Sequence, residues 1–505
     1  MKKTLALLLL LNTTLLLTSQ ITYDKRIEFE LKDGYDNEEI VEFGELGFIM
    51  VSREEQSAGG ENKWKYEHYN TDLKLVDTKT VSLDKKLYSD ETYTDNERTH
   101  TLYKDKNGNF SIVSVDASSL KITKVDGELP KKSSTKGITV LGDYAFLNAT
   151  VKKAPFLFSV NWKTGQKNLI PISISDISPK KTTFKDLQIL EDAKEIIVYA
   201  KAQIDKKNSE MYVVRLDDKG KKKDFFKLTK DIEQNIVDIS ASKLDNGKYI
   251  FTGTYSTKST DLSEGLFFCQ SEKGKVDFIK FYNFTKLENF LSYLPERKQN
   301  KLEKKKQRKE ANDKELIINY RMATHEVIQL ADGYLFLGEA FYPTYRTETY
   351  TTTTTSANGG TITTTHTRQV FDGYQYTHAV LSKFDTQGNL VWDQIFEMWP
   401  SYKPFFVKRF ISVAERNPSS IKLVFASHNK ITVKSFDYDG KVIVDNQSEE
   451  IQSTYMNDKT KFSFSNIDYW YGNYFIAYGN QKIKNKDGET KRKRKVYFIN
   501  KIRFK

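Results

Sequence analysis

The sequence predicts an all-β fold: a β-propeller of about eight four-stranded antiparallel blades, with seven blades or a pair of stacked β-domains as alternatives. Three observations predict it. A strand-turn-strand phrase recurs as FSVNWKTGQKNLIPI at 158–172, YVVRLDDKGKKKDFFKL at 212–228, LFFCQSEKGKVDFIKFY at 266–282, VLSKFDTQGNLVWDQIF at 380–396 and TVKSFDYDGKVIVD at 432–445. Its turn glycines, Gly165, Gly220, Gly274, Gly388 and Gly440, stand 55, 54, 114 and 52 residues apart, the long step holding two repeats with insertions. Composition agrees: 38% of residues are hydrophobic but 13% aromatic, which suits many short strands separated by thin apolar layers.

The first 20 residues, MKKTLALLLLLNTTLLLTSQ, read as a signal peptide, with Lys2 and Lys3 before an apolar run too short to span a bilayer. Residues 21–505 are then expected to form a single propeller domain. Strand A of the eight units starts near 39, 86, 136, 185, 236, 324, 409 and 462, units 1 and 2 being the least regular. Asp-Asn-Gly and Asp-Gly turns join A to B and C to D, because such turns need positive φ. The last unit ends at VYFINKIRFK without a fourth strand, and KRIEFEL at 25–31 is expected to fill that place and close the ring.

Strand direction alternates within a blade, so the short A–B and C–D turns share one face and the B–C and D–A loops share the other. The second set holds the long segments: 54–63, 256–264, 481–495 and two large insertions. Long loops on a rigid scaffold are where binding residues collect. The first insertion, about 285–315, is expected to be helical. Leu287, Phe290, Leu291 and Leu294 form an apolar stripe up to Pro295, and a basic helix follows with Lys304, Lys305, Lys306 and Arg308 among its cations. The second, about 343–376, is a Thr-rich hairpin around Asn358-Gly359-Gly360 that has no apolar face and should project into solvent. Aromatic and basic residues gather at its root and in the connection MWPSYKPFF: Tyr342, Tyr345, Arg346, Tyr350, Arg368, Trp399, Tyr402 and Lys403. With the four helix cations these are the candidate partner-binding residues, flat faces for stacking beside charges for acidic groups.

Signatures of chemistry are sparse. Cys269 is the single cysteine, in an apolar strand, and reads as a buried small hydrophobe. None of the six histidines has metal-ligand spacing, although His366 and His378 could approach each other across the loop-bearing face. No cofactor is expected. Asp90, Glu91, Asp95 and Glu97 are the one group that could hold calcium, without a loop spacing that fixes it. A formal net charge of +12 permits anionic partners without requiring them, and nothing points to specific nucleic-acid binding.

The signal segment, the Lys/Asn-rich composition and the turn Asp385-Thr386-Gln387-Gly388-Asn389-Leu390-Val391-Trp392 resemble exported β-propeller-like proteins of the Bacteroidota. The resemblance implies a propeller and carries no active site. The reading is an exported monomer, periplasmic, on the outer surface or extracellular. It would be a non-catalytic binding or scaffold propeller taking a protein, anionic glycan or lipid headgroup on its loop-bearing face, without a transmembrane segment. The alternative is a carbohydrate-active or other hydrolytic propeller with acidic residues at the central channel. A third role is as a subunit of an envelope assembly. Carboxylates converging on the channel would favour the enzyme, and an aromatic and basic ledge would favour binding.

Overall fold

The computed structural model describes residues 21–504 apart from 32–38, 54–59, 175, 230–232, 245, 259–260, 356–357, 415–419, 487 and 489. The expected signal peptide, and part of the loops at 54–63, 256–264 and 481–495, lie outside the described residues.

Eight antiparallel sheets follow one another along the chain. Blades 1 to 7 run in chain order, their A strands being Glu39–Glu42, Tyr88–Thr94, Ser133–Leu141, Thr182–Leu190, Asn235–Lys243, Arg321–Thr324 and Ser412–Ala414. In blade 6 a short segment, Ile328–Leu330, also pairs with strand B. Blade 8 takes strands A to C from Asp458–Tyr471, Tyr474–Asn485 and Lys493–Phe504, and its outermost strand from the N-terminal Ile21–Glu30. The chain ends therefore close the ring as expected, and the expected A-strand starts fall within four residues of the observed ones. Unit 2, the weakest in sequence, is a complete blade.

The core shows why the count is eight. The described buried apolar residues form eight clusters, each shared by two neighbouring blades. The eighth closes the seam, where Ile40, Phe48 and Met50 of blade 1 meet Trp470, Ile476 and Ile499 of blade 8. No blade has a core of its own, so each depends on both neighbours for burial. Cys269 is fully buried in the blade 4–5 cluster, and burial pushes its thiol well up, away from reactivity.

The repeat phrase has a double purpose. In four of its turns the Asp or Asn side chain accepts the amides that follow it, as Asp385 Oδ1 does from Gln387 (2.9 Å) and Asn389 (2.7 Å), and in all five the glycine supplies φ of +72° to +83°. That glycine also packs on the preceding blade. A Cβ on Gly440 would come within 2.6 Å of the Trp392 ring of blade 6, and one on Gly388 within 2.4 Å of Phe268 of blade 5. The spacing from aspartate to glycine to tryptophan is thus a blade-to-blade fit.

One expectation fails. The stripe from Leu287 to Leu294 is not a helix: a 3-10 turn, Phe284–Lys286, leads into irregular turns, and the only helix among the described residues is α1, Glu296–Glu310. Eight residues ahead of a proline are too few to nucleate a stable helix. Buried Asp393 takes the backbone amides of Glu288 and Asn289 instead, both at 2.8 Å. Leu287 and Phe290 are buried all the same, so the segment packs down as expected.

Candidate functional site: the axial chamber and its aromatic rim

The A strands are innermost, and those of blades 2 to 6 touch in succession around the axis, where with residues 406–409 they line a chamber of about 1340 Å³. Strands A of blades 2, 4 and 5 each carry a β-bulge at the same point, and the residue after each bulge is acidic and lines the chamber: Glu91, Asp186 and Asp238. A bulge turns a side chain out of the pleat and is a common way to aim one at a site. Blade 3 has a wider bulge, at 136–137, and its glycine makes room: a Cβ on Gly137, at φ +123°, would lie 2.2 Å from Glu91 Oε2. Lys136, Lys185, Lys408 and Arg409 bring positive charge to the same walls.

Glu91 and Asp186 are open to the chamber but ringed by protein. That enclosure, with the charges of Asp90 and Asp186, pushes the Glu91 carboxyl up to about 7. Enclosure and Asp238 push Asp186 up to about 6. Asp238 is raised by burial, against the 2.6 Å hydrogen bond it accepts from Thr324. Near neutral pH the chamber thus holds carboxyls poised between their charged and neutral forms.

The connection from blade 6 to blade 7 forms one edge of the chamber, and its backbone is clamped. Buried Glu339 accepts the amides of Phe410 (2.9 Å) and Ile411 (3.0 Å) and pairs with His325 at 2.8 Å. Tyr376 Oη donates to the Lys408 carbonyl at 2.6 Å and accepts its amide at 2.9 Å. Arg409 donates to the Thr324 carbonyl at 2.8 Å. Just before this anchored stretch Phe405 and Phe406 are each 69% exposed and Val407 is 52% exposed, and Phe406 and Val407 line the chamber. Large apolar side chains held open on fixed backbone are a docking feature.

Several of the sequence-chosen residues gather on this rim. Tyr345 packs edge-on against Phe371 at 6.0 Å, and Phe371 against Phe405 at 5.8 Å. Lys403 pairs with Asp372 at 2.8 Å, and its carbonyl lies where a Cβ on Gly373 would sit, so the connection crosses close over the hairpin root. Trp399 and Tyr342 are half exposed. Tyr402 is half-buried against Phe464 at 4.6 Å and accepts from Lys408 Nζ, so it props the rim rather than faces a ligand. Arg346 and Arg368 lie out on the hairpin and share Glu348 at 2.8 and 2.9 Å, with Arg368 over the Tyr350 ring. The helix cations stand apart from the rim: Lys304, Lys305 and Arg308 are exposed, and Lys306 donates to the Thr285 carbonyl at 2.9 Å.

His366 and His378 do not meet. They lie twelve residues apart on one continuous strand, roughly 40 Å along it. His366 stacks on Tyr350, whereas His378 is fully buried and stacked on Tyr293 at 3.9 Å, and burial holds it down at about 3. The four acidic residues considered for calcium are engaged separately. Asp90 pairs with Lys104, Asp95 accepts the amides of Glu97 and Arg98, Glu97 pairs with Arg98, and Glu91 faces the chamber. Among the described residues no three His, Cys, Asp or Glu side chains are set to hold a metal ion.

Sequence reasoning missed Asp186, Asp238, Phe406, Val407, Lys408 and Arg409. The acids had a signal: S-D-E, F-K-D and I-V-D stand at matching places in three A strands.

No family model and no curated protein matches the chain. Among solved structures it is similar to the tricorn protease (9% identity, 85% of this chain and 36% of that one, TM-score 0.38). It is also similar to the β-propeller domain of the Trilobed protease from Pyrococcus furiosus (8%, 81% and 95%, 0.36) and to the Dos1 propeller (13%, 78% and 79%, 0.39). The chain spans little more than a third of the tricorn protease. No activity or site carries over at such identities, and none of the three bears on the Bacteroidota. No described helix is long and apolar enough to cross a membrane. Eight antiparallel sheets in a ring closed by the two chain ends make this chain a β-propeller.

Proposed function

We propose that this chain is an exported binding propeller of the Bacteroidota-like kind that takes an acidic glycan at the aromatic rim of its axial chamber. The observation that carries the reading is the clamped connection, which presents Phe405, Phe406 and Val407 to solvent directly beside Lys408 and Arg409. Sugar rings offer flat C–H faces to aromatic side chains, and their carboxylate or sulfate groups need cations within reach. Lys408 and Arg409 hydrogen-bond to uncharged oxygens of Tyr402, Asn466 and Thr324 and feel Asp468, Asp186 and Asp238 only at longer range, so their hydrogen-bonded partners leave their charge unneutralised at contact.

Titration with polygalacturonate or alginate, followed by fluorescence of half-exposed Trp399, tests the reading. Binding should weaken with salt, and Phe405→Ala/Phe406→Ala should weaken it about tenfold or more, as expected when stacking side chains are removed from a site. Indifference of the protein to every acidic glycan, or undiminished binding by the double variant, would overturn it.

A second reading, hydrolysis of the bound glycan, is favoured by one observation: Glu91 and Asp186 face the chamber with raised carboxyls, as a general acid must. Product release should then fall as pH rises above about 7 and vanish in Glu91→Gln while binding persists. Binding without product at any pH rejects hydrolysis and leaves the first reading standing.

A further inference from the structure

Beyond the disc, strands B and C of blade 6 continue as a two-stranded ribbon with unbroken register from Tyr345 opposite Phe371 to Thr355 opposite Thr361. Neither strand has a second strand partner over this stretch among the described residues. Strand A pairs with strand B only as far as Phe341, and strand D pairs with strand C only from His378. The ribbon therefore carries two edges of unpaired backbone amides and carbonyls, each about 35 Å long.

An exposed edge rich in strand-forming residues is a template for another strand, and sheets blunt such edges with charge, proline or cover. This protein does so around its whole circumference. Every outermost blade strand carries charged residues, from Asp77 and Lys79 in blade 1 through Lys222 and Lys223 in blade 4 to Asp24 and Lys25 in blade 8. The outer half of the ribbon, 349–355 and 361–367, carries no Lys, Arg, Asp, Glu or Pro: it is eleven threonines with Tyr350, Ile362 and His366. The charged residues Arg346, Glu348 and Arg368 all lie at its root.

We propose that this outer half is a docking edge for a second copy of the chain. Two ribbons align antiparallel about a two-fold axis and pair along strand B, forming a four-stranded sheet between molecules. The occupant follows from self-complementarity, since an uncharged threonine edge meets its own copy without repulsion and gains Thr–Thr cross-strand pairs. The register follows as well. Pairing 349–355 with itself places Thr352 on the axis and Thr351 opposite the partner copy's Thr353. The roots then hold the two discs about 50 Å apart, clear of collision. Seven residue pairs cover less surface than a standard stable interface, so association is weak and concentration-dependent.

Sedimentation velocity on the full chain tests this. With rising concentration the mass should move from one chain toward two. Thr351→Lys/Thr353→Lys, which sets lysine against lysine at the two pairs flanking the axis, should abolish the shift at low salt and regain part of it at high salt. Thr352→Cys should cross-link two copies on oxidation at least tenfold faster than Thr355→Cys, which the register places away from its own copy. Buried Cys269 does not compete. A variant with 347–369 replaced by Asn-Gly should stay at one chain while keeping its circular dichroism and melting temperature, because the ribbon lies outside the interblade clusters. A wild-type chain that stays single at the highest concentration, a ribbonless variant that still pairs, or equal cross-linking at 352 and 355 would overturn the proposal.

Discussion

Asp186 and Glu195 lie on neighbouring strands of blade 4, nine residues apart, and have opposite characters. Glu195 is 3% exposed at the start of strand B, and it accepts from Tyr249 Oη at 2.5 Å and pairs with Arg215, Lys243 and Lys223 at 3.1 to 3.3 Å. Burial alone would raise its pKa, but the hydrogen bonds from Tyr249, Arg215 and Lys243 outweigh it and hold Glu195 down at about 2. Asp186 accepts its neighbour's amide at 2.8 Å, faces the chamber, and feels Asp238 and Glu326 more than it is relieved by Arg409. The comparison separates two uses of a carboxyl. Fully partnered, it joins five strands of blades 4 and 5 and belongs to the fold; left open beside other acids, it is available to a ligand.

The largest effect expected from breaking this contrast is at Glu195. Glu195→Gln strips the partner from a cluster of cations, a change worth about 3 kcal/mol at neutral pH. Its folded-state pKa lies below the ordinary 4.5, so the stability it supplies is present above that value and is lost as pH falls toward about 2. Urea unfolding of wild type and variant should show a gap that is full at pH 7 and narrower at pH 3. A gap that does not depend on pH would mean that Glu195 acts by packing and not by charge.

Next in size is Gly137, which lets Glu91 reach across blade 3. Gly137→Ala imposes a Cβ at φ +123° and 2.2 Å from Glu91 Oε2, at a cost of about 2 kcal/mol divided between backbone strain and the clash. In a Glu91→Ala background only the backbone part should remain. A thermal-melt double-mutant cycle measures the difference, and strictly additive losses would show that Glu91 does not rest on Gly137.

The ring was legible in the sequence because blades 3 to 7 repeat one local glycine turn, capped by Asp or Asn in all but blade 5. The Asp-to-Gly turn fixes its own amides, and its glycine meets the blade before it, so Gly388 and Trp392 announce both a turn and a neighbour. Closure was legible because VYFINKIRFK lacked a fourth strand and KRIEFEL had the residues to supply it. The rim was half legible. Tyr345, Trp399 and Lys403 stood out by type, but Tyr402 turned inward because Phe464, sixty residues away, offered it a face. The chamber acids were the least legible. Glu91, Asp186 and Asp238 lie on different blades, and only the ring brings them onto one wall; their shared mark is a bulge, which leaves no fixed residue type behind. The stripe at 287–294 misled because burial at near-helical spacing was met by turns anchored on Asp393, a partner a hundred residues distant.

The smallest effect is the most informative about the chamber. Glu91 and Asp186 have folded-state pKa values above the ordinary 4.5 and 3.8, so each favours the folded state while protonated and works against it as pH rises through about 7 and about 6. Glu91→Gln and Asp186→Asn keep the size and lose the ionisation. Each should therefore match wild type near pH 4 and be the more stable protein at pH 8. The gain should stay under about 1 kcal/mol, because both residues are exposed and solvent screens the repulsion. The sign is opposite to that at Glu195, where removing the charge costs most at neutral pH and least in acid. Melting temperatures of the three variants across pH 4 to 8 place both trends on one axis. Were Glu91→Gln less stable than wild type at pH 8, the carboxylate would have to be a partnered structural group like Glu195, and the chamber would lose its poised acid.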